Sequence, residues 1–100
     1  MTGKVTIHPE AEREVQDAFD WYGGLSEGPG FEFLRAADAA LSGIQRHPLA
    51  YQIVRGQARR VLLRKFPYAL FYQINQDNIE VLACFHLKRD PIDWLRRAEP

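Results

Sequence analysis

The chain has 100 residues, 46% of them hydrophobic and 26% charged, with no net charge at pH 7. That length makes one domain, residues 1–100, with a single thin core, and the composition carries no signature of disorder. No apolar run reaches the roughly 18 residues of a membrane span, and Met1-Thr2-Gly3-Lys4-Val5 holds no apolar leader stretch. The chain is therefore expected in the cytoplasm. Residues 1–50 carry four Lys+Arg against eight Asp+Glu, a balance of −4, and residues 51–100 carry nine against five, a balance of +4. An acidic first half and a basic second half suit a local anion-facing surface and argue against tight bulk binding to nucleic acid.

Val5 and Ile7 alternate with Thr6 and His8, which predicts a short first strand. His8-Pro9-Glu10 opens a helix, because proline is tolerated where its missing N–H would have no partner. Ala11, Val15, Ala18, Phe19 and Tyr22 recur at helical spacing, and Gly23-Gly24 ends the run. Gly28-Pro29-Gly30 reads as a turn. A second helix is predicted from Phe31 to Arg46, with Phe31, Leu34, Ala37, Leu41 and Ile44 as its apolar stripe and His47-Pro48 as its stop. Trp21 and Tyr22 read as packing residues at the end of the first helix.

Tyr51, Ile53 and Val54 predict a short edge strand, and Gly56 a turn. From Arg59 the period becomes two. Arg60, Leu62, Arg64 and Phe66 then share one face and Val61, Leu63 and Lys65 the other. Pro67 marks a corner. Leu70, Tyr72 and Ile74 alternate with Phe71 and Gln73, and Asn75-Gln76-Asp77-Asn78 is a hairpin turn by composition. Ile79 to His86 completes the last strand, and Asp90-Pro91 opens a short terminal helical turn carrying Trp94. The order β-α-α-β-β-β is an α+β fold, with a helical hairpin packed on one face of an antiparallel sheet whose other face stays open. Cys84, the one cysteine, sits in an apolar strand and reads as a buried inert thiol.

No metal site emerges. His8, His47 and His86 are far apart, there is no cysteine pair, and no glycine-rich loop has phosphate-binding spacing. Ser26 and Ser42 lack a nucleophile signature. No cofactor is implied. What remains is the basic cluster Arg59, Arg60, Arg64, Lys65, Lys88 and Arg89, together with His86. Such a set suits RNA cleavage, in which a histidine moves protons and Arg or Lys holds the phosphorane. The plainer reading is of solvated charges that protect strand edges, with His86 bonded to backbone. Tyr68, Phe71 and Tyr72 are explained by sheet core and rim as well as by base stacking.

The stretch Arg64 through Tyr72, together with His86, Arg89, Pro91 and Trp94, resembles the RelE/ParE family of toxins from type II toxin–antitoxin modules, and the order of elements agrees along nearly the whole chain. The resemblance implies a cognate antitoxin whose C-terminal segment wraps the toxin. The acidic helical positions Glu10, Glu14 and Asp17 and an exposed sheet edge are the expected docking surfaces. It also implies a target. RelE-like members cut mRNA on the ribosome, whereas ParE-like members inhibit DNA gyrase and are not nucleases. RelE-type toxins are usually strongly basic and many carry a late Tyr; this chain is neutral and has no Tyr after Tyr72. The reading adopted is therefore ParE-like. The alternatives are a ribosome-dependent endoribonuclease, with His86 as acid or base and Arg64 and Arg89 on phosphate, and a degenerate non-toxic member.

Overall fold

The computed structural model describes residues 4–24, 28–90, 94 and 96–98. Strand β1 (Val5–Ile7) leads into helices α1 (Pro9–Gly23) and α2 (Pro29–Arg46); strands β2 (Gln52–Arg55), β3 (Ala58–Leu62), β4 (Tyr68–Asn75) and β5 (Asn78–His86) follow, and a 3-10 turn spans Arg96–Ala98. Ser26 and Pro91 lie outside the described residues.

Local chemistry sets the helix boundaries. The His8 side chain caps α1 by accepting from the Glu10 N–H at 3.2 Å, and Pro9 occupies the first turn. The same logic starts α2 two residues earlier than its apolar stripe suggests: Pro29 sits in its first turn, after Gly28 at φ 103°. Gly30 then lies against α1, where an added Cβ would sit 3.0 Å from the Phe19 carbonyl oxygen and 3.2 Å from the Gly23 nitrogen. The two helices touch backbone to backbone at this point.

The sheet order is β1-β5-β4-β3-β2. Strands β2 to β5 pair antiparallel, and Gln76 and Asp77, both at positive φ, make the tight β4–β5 turn. The α+β class and the helical hairpin stand as expected. The sheet, however, is mixed, because β1 pairs parallel with β5 through Val5↔Ile79, Thr6↔Glu80 and Ile7↔Val81. The helices carry the chain from β1 to β2 at the opposite edge, and the antiparallel steps β2–β3–β4–β5 bring β5 back beside β1, running in its direction. Leu82 is an extra residue opposite the Phe71/Tyr72 step, a bulge that turns Leu82 and Ala83 to the same side.

Both sheet faces are covered. Phe33 and Ile44 from α2 pack with Val61, Leu70, Tyr72 and Ile79 on the helix side. On the outer side Ala69, Phe71, Leu82 and Phe85 form a second cluster that Trp94 completes. Trp94 is buried and lies over Phe71 with ring centroids 4.5 Å apart at 26°. The expectation of an open outer face is therefore wrong, because a sheet this apolar on both sides needs cover and Trp94 supplies it.

Two aromatic assignments also change. Phe33 (0% exposed), not Phe31 (61%), is the inward phenylalanine of α2, and Trp21 is 64% exposed. Starting the helix at Pro29 puts Gly30 and Phe33 on the face that meets α1 and the sheet. Phe31 turns outward against Phe19, at 5.5 Å. Tyr22 packs as expected, between Phe33 and Phe66.

Gly30→Ala is predicted to push the helices apart and cost about 1–3 kcal/mol, because two of the three nearest atoms it meets are backbone and the third is the Phe19 ring. Thermal unfolding of the variant measures this; an unchanged midpoint would show that the contact is not limiting.

Candidate functional site

The expected basic residues do not form one patch. β3 ends at Leu62, and the chain turns through Arg64 and Lys65, the latter at φ 70°. The Leu63 N–H bonds to the Tyr68 carbonyl at 2.9 Å and closes this turn. Arg64 and Lys65 are thus exposed turn residues, not strand residues, and Arg64 does not share a face with Arg60. Phe66 swings back to the helix-side core, so it leaves the Arg60 face as well.

Arg59 lies on the helix side, paired across from Tyr72. Its guanidinium donates to the Tyr51 carbonyl at 2.7 Å and the Leu49 carbonyl at 3.2 Å. That binds the loop between α2 and β2, and it commits the charge to structure. Arg60 lies opposite Phe71 on the outer face and donates to Gln52 Oε1 at 3.3 Å.

His86 pairs with Tyr68, and its ring meets the Tyr68 ring at 5.1 Å on the helix side of the sheet. Its Nδ1 accepts the Lys88 N–H at 3.1 Å, which leaves the ring proton on Nε2. Lys88 is exposed. Arg89 crosses to the outer side, where its Cζ stands 4.0 Å above the Phe85 ring. It also reaches Glu14 Oε2 at 3.5 Å. Of the three groups proposed for RNA chemistry, Arg64 sits in a turn, while His86 and Arg89 line one cleft, the His86 ring packing on Tyr68.

Three of the expected residues, Arg60, His86 and Arg89, do meet around a cavity. A cleft of about 210 Å³ on the outer face is rimmed by Arg55, Arg60 and Arg89 over Phe71, Phe85 and Trp94. Arg55 was not legible as a site residue; a short edge strand offers no spacing signal for it.

Glu14 is the other residue the sequence did not mark correctly. It is not a surface docking position. It accepts the Cys84 N–H at 3.0 Å and binds Arg97 through both oxygens, Nη1 to Oε1 at 3.1 Å and Nη2 to Oε2 at 2.9 Å. Arg97 in turn donates to the Leu82 carbonyl at 3.0 Å, and Glu10 approaches its Nη2 at 3.3 Å. Both ends of the Glu14–Arg97 pair are nearly buried.

The described residues contain no group of three His, Cys, Asp or Glu able to hold a metal, and none of their helices is long and apolar enough to cross a membrane. Burial, helped by the nearby Glu14 carboxylate, pushes the Cys84 thiol up to about 12, and burial raises the Tyr72 phenol to about 12 against the opposing effect of Arg59. The Tyr72 hydroxyl donates to the Pro48 carbonyl.

A family model described as the ParE toxin of the type II toxin–antitoxin system parDE matches residues 5–91. The chain belongs to the ParE toxin family. A solved chain from the chromosomal ParDE TA system of P. aeruginosa superposes with a TM-score of 0.61 at 13% identity, covering 83% of this chain and 94% of that one. At that identity the likeness shows the fold alone. Comparison with curated protein sequences gives no significant match. The family match extends from β1 to just beyond Asp90, so it takes in all five strands of this ParE-family chain and both helices.

Two predictions follow from the buried groups of this ParE-family chain. Glu14→Gln leaves Arg97 short of its main counter-charge and is predicted to cost about 2 kcal/mol, read by urea denaturation; a wild-type midpoint would disprove the role. Cys84 and Tyr72 ionise from 9.0 and 10.0 in ordinary surroundings but near 12 in the fold. The unfolded chain therefore loses these protons first. Their contribution to stability is full below about pH 9 and is lost as pH rises toward 12. A Cys84→Ala variant should show a shallower alkaline decline, and native Cys84 should resist thiol reagents at pH 8.

Proposed function

We propose that this chain is the toxin of a type II module, that it acts as a binding inhibitor of DNA gyrase in the cytoplasm, and that a cognate antitoxin neutralises it. Membership of the ParE family supports the toxin assignment. One observation supports an inhibitor over a nuclease: the His86 imidazole is already engaged, by the Tyr68 ring and the Lys88 N–H. His86, Arg60 and Arg89 line one cleft, but Arg64 sits away from it in the β3–β4 turn and the His86 ring packs against Tyr68, and a general acid or base must reach the same phosphate as its cationic partners. The His86 Nδ1 is already used as a backbone acceptor, the role of a structural histidine.

The antitoxin is expected to cover apolar surface. A groove of about 240 Å³ runs between α1, α2 and the sheet, lined by Ile7, Ala11, Val15, Leu34 and Leu41. It suits the apolar face of an amphipathic segment. With Glu14 committed internally, Glu12, Asp17 and Asp20 are the exposed acidic positions that remain on α1.

Pulse-labelling of DNA and protein synthesis just after induction of the chain alone tests the proposal. DNA synthesis is predicted to stop first, and His86→Ala should stay toxic. Early arrest of protein synthesis, abolished by His86→Ala, would replace this reading with the endoribonuclease; no arrest of either would mark a non-toxic member.

A further inference from the structure

We propose that the outer-face cleft between β2, β3 and the C-terminal segment is a docking pocket for an acidic protein segment that inserts one apolar side chain. This rests on the reading of the chain as a binding inhibitor, and it gives the chemistry of a protein partner. The cleft holds about 210 Å³, room for one side chain and not for a folded element.

Its floor is Val54, Phe71, Phe85 and Trp94, all apolar apart from the indole nitrogen. Its rim is cationic. Arg89 is partly neutralised by Glu14 at 3.5 Å. Arg60 bonds only the neutral amide of Gln52, and Arg55 has no carboxylate partner among the described residues. Among the described residues no Asp or Glu lines the cleft, and His86 joins the arginines at its rim. Two guanidinium groups without counter-charge above an apolar floor match a ligand that joins carboxylates to a hydrophobic group. Leu87 lines the same cleft, and both it and Leu62 of β3 are exposed, widening the apolar surface available to that ligand.

Nucleic acid fits this cleft less well. Base stacking needs a free ring face. Phe71 and Trp94 lie face to face at 4.5 Å, and Arg89 covers Phe85 at 4.0 Å. All three rings are buried, so the floor offers grease and not a stacking platform.

Fluorescence anisotropy on the full chain, with a labelled acetyl-Asp-Glu-Phe-Leu-Asp-Glu amide as probe, tests the proposal. Wild-type binding is expected to weaken with added salt. The Arg55→Ala/Arg60→Ala double variant is expected to lose affinity roughly tenfold or more, with a wild-type circular dichroism spectrum, since neither side chain is part of the core. Arg55→Lys/Arg60→Lys should recover part of the loss. No binding by the wild type, equal binding by the double alanine variant, or tighter binding of a labelled single-stranded RNA at the same arginines would each overturn it. Arrest of DNA synthesis without peptide binding would remove only the pocket. Peptide binding without arrest would remove only the gyrase target.

Discussion

The rest of the structure depends on how the free edge of β5 is closed. β1 has three residues and β5 has nine, so β1 satisfies only the first part of its neighbour. Beyond Val81 the N–H of Cys84 and the carbonyl of Leu82 would face a buried edge with no strand beside them. Unpaired backbone groups in such a place are costly. Here side chains take the place of a strand: Glu14 from α1 accepts from Cys84, and Arg97 from the C-terminal turn donates to Leu82. The two then bind each other. One carboxylate thereby ties the first helix, strand β5 and the chain's last described turn into one unit.

That closure also decides which charges remain available to a partner. Arg97 is consumed by it and Arg89 partly so, while Arg59 is consumed by the loop after α2. A count of basic residues in the second half therefore overstates the charge that faces solvent. The aromatic residues follow the same pattern. Tyr72, Phe85 and Trp94 are almost entirely buried, because the sheet is packed on both faces. The surface of this ParE-family chain is left with guanidinium groups around apolar rims. In the cleft that His86 lines, the aromatic rings are buried and offer no stacking platform.

Strand alternation made β3, β4 and β5 readable, and helical spacing with Pro and Gly punctuation made α1 and α2 readable. These signals are local. Pairing between distant segments has no such signal, and so the parallel β1–β5 pair could not be read from Val5 and Ile7 alone. Phe31 and Phe33 illustrate a second limit. Both fit an apolar stripe, and only the backbone contact at Gly30 decides which one faces inward. For Arg64 the period of two was carried past the end of its strand, into a turn set by the positive φ of Lys65. Glu14 was misplaced for a different reason. On a helix it looks like an ordinary surface acid, and its partner Arg97 is 83 residues away.

The parallel pair has a kinetic meaning. β1 is the first element in the chain, and the strand it leans on is the last. Lys4 and Asn78, which bond beside that pair, are 74 residues apart. Closing so large a loop carries an entropic cost that must be met before its contacts can form. The helical hairpin and the β3–β4–β5 meander are built from near neighbours and need not wait. The N-terminal strand is thus set to join late, onto an assembled sheet, and the step that completes the molecule is the one that brings its two ends of sequence together.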